Sequence, residues 1–130
     1  MIQFAYTILY VKDIFASLDF YEKAFGFKRK FIAPDNDYGE LDTGKTVLSF
    51  ANLKLANTNL PEGFIESKGS NKPFAMEIAF ATDDVEKTFN TAVQQGATPV
   101  AKPEIKPWGQ TVSYVRDIDG FLIEICSPIG

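Results

Sequence analysis

Hydrophobic and polar residues follow two different periods along the first half of the chain. It begins with FAYTILYV, an alternating run typical of a strand. Asp13 then opens a segment in which Ile14, Leu18, Tyr21 and Phe25 fall on one helical face, and Gly26 follows where a helix should end. Three short strand-like runs come next, FKRKFIA, DYGELDT and KTVLSFANL. The pattern predicts a strand, a helix and three further strands.

The second half repeats this order. MEIAFAT has the pattern of a strand, Asp84 is a helix cap, the next helix ends at Gly96, and three strands follow as ATPVA, QTVSYVR and FLIEICS. A tight turn, Asp117 to Gly120, joins the last two strands. Asp13 and Asp84, like other matching features, lie about 71 to 76 residues apart. The repeat predicts two copies of a βαβββ module within an α+β fold.

A polar stretch without clear periodicity separates the two copies. It contains Pro61, Gly63, Gly69 and Ser70, which is typical of a long loop or linker. We therefore expect one domain over residues 1–130, made of a module at 1–56, a linker at 57–72 and a module at 73–130. The linker could serve as a flap over a binding site or as a disordered connector.

Composition narrows the possible functions. The 130 residues carry a net charge of −4, which argues against a nucleic-acid partner and makes a cationic or neutral small ligand easier to accept. The 12 Phe and 5 Tyr exceed the usual needs of a small core, so some rings are expected to line a cavity. No apolar run approaches the ~20 residues of a membrane helix, and MIQFAYTILYV lacks the features of a signal peptide, so we expect a cytoplasmic protein.

Histidine is absent from the chain. This removes the commonest ligand for zinc, iron and nickel, the usual proton shuttle near neutral pH, and every Ser/His or Cys/His nucleophile pair. The one cysteine, Cys126, has no partner for an intramolecular disulfide and is expected to pack in the core.

Two long stretches resemble a known family. YTILYVKDIFASLDFYEKAFGF is similar to the strand and helix that open the vicinal-oxygen-chelate (VOC) superfamily, and KPWGQTVSYVRDIDGFLIEI resembles its last hairpin. The most similar members in style are the glyoxalase, bleomycin-resistance and dioxygenase-like proteins. The resemblance implies a curved mixed sheet that forms a cup around a small-molecule ligand, with helices outside, and a homodimer.

The resemblance also implies where a metal would bind. Metal-using members place ligands on the first and last strands of each module, which correspond here to Tyr6, Leu48, Glu77 and Glu124. Leucine cannot coordinate a metal, and a neutral phenol with a pKa near ~10 is a poor ligand. Two carboxylates with water could hold a hard divalent ion weakly. We therefore expect no resident metal cofactor, with a weakly held divalent ion as the alternative.

Strand parity aims the two acids in one direction. Glu77 shares a face with Ala79, while Glu124 should face away from the helices because Ile123 and Ile125 face them. Each acid could be a polar group on a wet sheet face, a contact for a cationic ligand, or an acid/base catalyst. Burial in an aromatic cup would raise a carboxyl pKa toward the range useful for catalysis.

Other candidates come from position and family spacing. Tyr114 lies ten residues before Glu124, similar to an active-site Tyr in extradiol dioxygenases, and either donates a hydrogen bond in the pocket or lies on the helix side of the sheet, because one residue of slip in the hairpin reverses the face. Trp108, on a loop between Pro107 and Gly109, could stack on a flat or cationic ligand or pack in an interface. Arg116 is expected on the surface. The expected ligand-binding residues are Tyr6, Ile8, Tyr38, Leu48, Phe50, Trp108 and Tyr114.

The favoured interpretation is a metal-independent protein that binds an aromatic or cationic compound. The alternative is a lyase or isomerase that uses Glu77 and Glu124 as acid and base, possibly with a divalent metal. Metal-dependent glyoxalase I or extradiol dioxygenase activity is not expected, because both need a ligand set that this sequence lacks.

Overall fold

A computed structural model describes residues 1–129 and confirms the α+β fold. The elements are β1 Tyr6–Val11, α1 Ile14–Phe25, β2 Lys28–Ile32, β3 Tyr38–Asp42, β4 Val47–Asn52, α2 Leu53–Asn59, β5 Ile78–Ala81, α3 Val85–Gln94, β6 Thr98–Ile105, β7 Thr111–Arg116 and β8 Leu122–Cys126. The predicted order recurs in both halves, with the short helix α2 added. None of the helices within residues 1–129 has the length and apolar content to cross a membrane.

The elements form two compact units, Met1–Glu66 (unit 1) and Ser67–Gly130 (unit 2), the latter described to residue 129. Each unit contains one open four-stranded sheet, with strand order β1-β4-β3-β2 in unit 1 and β5-β8-β7-β6 in unit 2. In both sheets the first pair is parallel and the other pairs are antiparallel. The sequence repeat is therefore a repeat of topology.

Helix α1 begins and ends where the sequence predicts. The Asp13 carboxylate accepts hydrogen bonds from the N–H of Phe15 at 3.0 Å and of Ala16 at 3.4 Å, which satisfies donors that the first turn leaves free. Gly26 adopts a left-handed conformation at φ 76° and its N–H bonds to Glu22, which ends the helix. Leu18, buried on the inner side of the helix, packs toward β3.

Helix α3 covers unit 2 in the same way. Asp84 caps it by accepting from the N–H of Lys87 at 3.0 Å. Its buried residues Val85, Phe89 and Ala92 face a sheet whose β7, β8 and β6 lie beneath the helix. Helix α1 in unit 1 and helix α3 in unit 2 thus each cover one face of their sheet. We call the opposite face of each sheet the open face.

The expected linker at 57–72 is partly helical. Asn52 ends β4 and also caps α2, with its side-chain oxygen accepting from the N–H of Leu55 at 2.9 Å. The last residues of α2 therefore occupy the start of the predicted linker, and the boundary between the units follows Glu66.

The edge strand β6 is longer than the predicted ATPVA. It runs for 8 residues, includes Pro99 and Pro103, and pairs with β7 through two register irregularities. Because proline cannot donate to a strand ladder, a strand containing two of them is suited to the edge of a sheet.

Candidate functional site

Two carboxyl groups and a phenol meet on the open face of unit 2. The Tyr114 hydroxyl donates to Glu124 Oε1 at 3.1 Å and lies 3.4 Å from Glu77 Oε1. The side chains of Glu77 and Glu124 are also hydrogen-bonded to each other. We call these three residues the carboxyl pair and its tyrosine.

The pairing of three strands brings this group together. Tyr114 on β7 stands directly opposite Glu124 on β8, and Glu124 in turn lies beside Ala79 of the parallel strand β5. Glu77 precedes β5 and is two positions from Ala79, so it projects to the same face. Ile123, which alternates with Glu124, is fully buried on the helix side. The face expected for both acids is the one that the structure shows.

The hydrogen bond between the carboxyl groups shifts their pKa values in opposite directions. Protonated Glu77 donates a hydrogen bond to the Glu124 carboxylate, which raises the pKa of Glu77 to about 7; partial burial and the negative charge of Glu124 act in the same direction. The same hydrogen bond from Glu77 lowers the pKa of Glu124. Burial, with the hydrogen bond and charge of Glu124, raises the pKa of Tyr114 to about 12. The pair therefore holds one proton over much of the acidic range and begins to lose it near neutral pH.

Cys126 lies two positions beyond Glu124 on the same face of β8. Its thiol donates to the Phe80 carbonyl at 3.7 Å, and burial is the main cause that raises its pKa to about 11, with Glu124 contributing. Gln110 accepts from the Trp108 indole N–H at 2.8 Å and donates to the Ser127 carbonyl at 2.8 Å. Cys126, opposite Val112, and Gln110, bonded to Ser127, therefore lie where β7 begins and β8 ends, between the carboxyl pair and Trp108. Sequence analysis missed Gln110, because a glutamine that follows a turn has no distinguishing pattern.

Trp108 is held in place although much of it is exposed. The residue is 67% exposed, and its indole N–H donates a hydrogen bond to the side chain of Gln110. A pocket of about 220 Å³ lies beside it, lined by Trp108, Gly109, Gln110, Pro128 and Ile129. The accessible ring offers a stacking surface for a small flat group.

Two expected ligand-binding residues lie on the wrong face. Leu48 and Phe50 are 4% and 0% exposed, and the Phe50 ring packs 5.2 Å from the ring of Tyr21 on α1. Leu48 pairs with Thr7, just as Ile123 pairs with Ile78 in unit 2. Both expected residues therefore belong to the core beneath the helix, so their assignment to a ligand-facing wall is corrected.

The counterpart of Glu124 in unit 1 is Ser49, one residue beyond Leu48. Ser49 pairs with Ile8 of β1 as Glu124 pairs with Ala79 of β5. A shift of one residue along a strand reverses the face, which explains why the carboxylate position was misplaced by one residue. Ile8 thus stands beside Ser49 on the open face of unit 1.

A second polar cluster surrounds Ser49. The Tyr38 hydroxyl donates to Glu40 Oε2 at 2.7 Å and lies 3.0 Å from Ser49 Oγ, which is fully buried. Burial is the first cause that raises the pKa of Tyr38 to about 12, with the carboxylate of Glu40 contributing. Tyr6 lies at the half-exposed start of β1 on the same face. Of the residues in this cluster, sequence analysis identified Tyr38 and Tyr6 and missed Ser49 and Glu40.

The donors in unit 2 do not fit a transition metal. Residues 1–129 contain no group of three or more Asp, Glu, Cys or His side chains arranged to hold a metal ion. The carboxyl pair offers oxygen atoms and shares a proton, whereas zinc, iron and nickel favour nitrogen or sulfur ligands. A hard divalent ion would have to displace that proton and complete its shell with water.

Tandem βαβββ modules, each with a parallel pair followed by an antiparallel hairpin, define the class of proteins with the VOC fold. A family model for the Glyoxalase/Bleomycin resistance protein/Dioxygenase superfamily matches residues 3–125, and the chain belongs to that superfamily. The resemblance seen in the sequence is thereby confirmed. No similar protein was found among those with curated functions.

Solved structures show the same fold over nearly the whole chain. A glyoxalase-related enzyme from Fulvimarina pelagi is 21% identical with a TM-score of 0.82, covering 98% of this chain and 89% of that one. A glyoxalase/bleomycin resistance protein/dioxygenase family enzyme from Burkholderia phytofirmans PsJN is 23% identical with a TM-score of 0.82, covering 97% and 98%. TioX from Micromonospora sp. ML1 is 23% identical with a TM-score of 0.71, covering 96% and 98%. At these identities the likeness shows the fold.

Proposed function

We propose that the protein binds a small aromatic cation on the open face of unit 2 without a metal. The observation that carries this proposal is the carboxyl pair held by Tyr114 on the open face, together with the exposed ring of Trp108 on the β6–β7 loop of the same unit. A ligand with a flat ring and a positive group matches these two features.

The negative charge of the carboxyl pair favours a cationic ligand there. A positive group can replace the proton that Glu77 and Glu124 share, and both carboxylates then face an opposite charge. At the other end, a ring that stacks on Trp108 gains about 1 kcal/mol from the aromatic contact. Binding of this kind needs no histidine and no resident metal.

The test uses one ring system in three charge states. Thermal shift and calorimetry are run at pH 7.5 with 1-methylquinolinium, neutral quinoline and anionic quinoline-2-carboxylate. We expect affinity to fall from the cation to the anion, because only the cation complements the carboxyl pair. Equal affinity for all three, or tighter binding of the anion, contradicts the proposal.

Variants locate the two ends of the site. Trp108→Ala should weaken binding of the cation and of quinoline alike, by about fivefold, which corresponds to the loss of about 1 kcal/mol of stacking. Glu124→Gln should weaken the cation and leave quinoline unchanged. Glu104→Gln on β6 is the matched control, since Glu104 is an exposed glutamate outside this group. A Glu104 effect as large as that of Glu124 would show that net charge alone drives binding.

A homodimer is a further part of the proposal, and sedimentation equilibrium of the purified chain tests it. It rests on the family and on the exposed apolar side chains, such as Phe4 and Ile65. A monomer at tens of micromolar would remove it.

The second candidate is an acid/base enzyme, a lyase or isomerase of this superfamily. It is favoured by the placement of both carboxyl groups at the Tyr114 hydroxyl, where the pKa of Glu77 is raised to about 7 and that of Glu124 is lowered. Such a pair can give and take a proton near neutral pH. To test this candidate, the protein is incubated in D2O with small keto acids and phosphorylated acids, and NMR spectra report whether protons of each compound exchange with solvent. Exchange that Glu77→Gln leaves intact would exclude the pair as its catalyst.

A further inference from the structure

The segment that carries Glu77 lies outside the sheet. Residues 67–77, which we call the strap, lead from the start of unit 2 to the first residue of β5. Within it, the Asn71 N–H bonds to the Lys68 carbonyl at 3.1 Å and the Met76 N–H bonds to the Phe74 carbonyl at 2.8 Å. These are short local turns, so the position of Glu77 also depends on what holds the strap from outside.

Arg116 makes that connection. It is the last residue of β7 and is 8% exposed, unlike the surface residue expected from the sequence. Its Nε donates to the Gly120 carbonyl at 2.7 Å and its Nη2 donates to the Lys68 carbonyl at 3.0 Å. One guanidinium therefore ties the β7–β8 turn to the strap, using the fixed fork of donors that arginine provides.

Two further contacts hold the strap against the same turn. Gly120 has φ +90°, and a Cβ atom there would lie 2.6 Å from the carbonyl carbon of Lys68 and 2.7 Å from the nitrogen of Gly69. The two backbones touch at a point where glycine alone leaves room. Farther along, the Phe74 ring packs edge to face on Phe121 at 6.3 Å. The turn thus meets the strap at Lys68, Gly69 and Phe74.

The same hairpin supplies the other members of the site. Tyr114 lies on β7 and Glu124 on β8, on either side of the turn that Arg116 braces. Because Glu77 is the last residue of the strap, a displacement of that end of the strap relative to this hairpin moves Glu77 relative to its two partners.

We propose that Arg116 is a positioning residue that fastens the strap to the β7–β8 turn and thereby sets Glu77 within hydrogen-bonding reach of Glu124 and Tyr114. This inference rests on the proposed binding function for its consequence, since a displaced Glu77 removes one of the two carboxylates that meet the cation. The geometry of the fastening stands apart from the identity of the ligand.

The first test is spectroscopic and needs no ligand. Protein labelled with 13C at glutamate carboxyl carbons reports the Glu124 signal, which Glu124→Gln identifies by its loss. The Glu77→Gln variant gives the chemical shift of the Glu124 carboxyl carbon in the absence of the Glu77 carboxyl group. We expect Arg116→Met to move it most of the way to that position, and Arg116→Lys, whose ammonium lacks the two-pronged geometry, to move it part of the way. Gly120→Ala disturbs the same contact from the opposite side and should act in the same direction.

A matched control separates positioning from general loss of stability. The buried Ser113 hydroxyl donates to the Ile125 carbonyl at 2.8 Å in the same hairpin, on the helix side. Ser113→Ala should lower stability and leave the Glu124 signal in place. A wild-type Glu124 signal in folded Arg116→Met overturns the inference. If that variant does not fold, a wild-type signal in Gly120→Ala and Arg116→Lys together overturns it.

Binding measurements then connect the fastening to function. Affinity for 1-methylquinolinium in Arg116→Met should fall to within twofold of that in Glu77→Gln. If Glu77→Gln binds the cation as wild type does, the proposed function fails, while the carboxyl spectra still decide the role of Arg116. If the spectra change and affinity in Arg116→Met stays at the wild-type value although Glu77→Gln weakens binding, the inferred link between strap and ligand is wrong.

Discussion

Replacing Glu77 by Gln should remove a pH dependence of stability that the carboxyl pair creates. The pKa of Glu77 is raised from 4.5 to about 7, so the folded state holds this proton more tightly than the unfolded chain does. The resulting stabilisation is complete below pH 4.5 and is lost as the pH rises to about 7. Glu124 acts in a different window, because its lowered pKa contributes stability that is lost only as the pH falls into the acidic range.

The expected magnitude follows from the shift and from exposure. A shift from 4.5 to about 7 would correspond to about 3 kcal/mol if the pair were shielded from water. The Glu77 side chain is exposed, so solvent screening reduces the effect, and we expect about 1 kcal/mol. For a chain of this size that is about 4 °C in Tm.

The measurement is urea unfolding of wild type and Glu77→Gln between pH 5 and pH 8, followed by circular dichroism. The free energy of unfolding of wild type should fall by about 1 kcal/mol more than that of the variant across this range, because the other titrating groups are common to both. Glu104→Gln, the exposed control on β6, should run parallel to wild type. Parallel curves for wild type and Glu77→Gln, or a wild type that gains stability with pH relative to the variant, would refute the shared proton.

Three further predictions concern a buried hydroxyl in unit 1, the helix caps of both units, and metal binding. Tyr38→Phe should cost about 1 to 2 kcal/mol in urea unfolding, because it deprives the buried Ser49 hydroxyl of its partner; unchanged stability would mean that Ser49 finds another. Asp13→Ala should cost about 1 kcal/mol in the same assay through the loss of the α1 cap, and Asp84→Ala a similar amount at α3; no loss in either would contradict the capping role. Elemental analysis of protein purified without chelator should find well under one equivalent of transition metal, and a full, tightly held equivalent would contradict the metal-free interpretation.

Much of the fold was predictable because local signals repeat. Asp13 and Asp84 mark helix starts by a physical requirement for an acceptor, and Gly26 marks a helix end by its freedom at positive φ. The apolar period predicts one face of α1, and its members Ile14, Leu18 and Tyr21 are buried. The helix α2 was missed because Asn52 both ends a strand and caps a helix, and the polar residues that follow it resemble a loop.

The site was less predictable because it depends on register and on turns. Parity in β8 was read correctly from Ile123 and Ile125, so the direction of Glu124 was right. In β4 no parity argument was available, and the position implied by the family resemblance, Leu48, is one residue away from the open-face residue Ser49. The role of Arg116 depends on a strap contact nearly fifty residues away in sequence, which no local pattern encodes.

The irregular edge strand β6 has a consequence for the protein at high concentration. Its outer side offers unpaired backbone groups to other molecules, and its exposed Val100 and Ile105 add apolar surface. Pro99 and Pro103 interrupt the row of N–H donors, and the register irregularities twist the strand away from a flat template. Intermolecular strand pairing is thereby obstructed along this edge. Replacing both prolines by residues that can donate hydrogen bonds would therefore expose the chain to edge-to-edge aggregation. The carboxyl pair, just before β5 and on β8 at the far side of the sheet, would be unchanged.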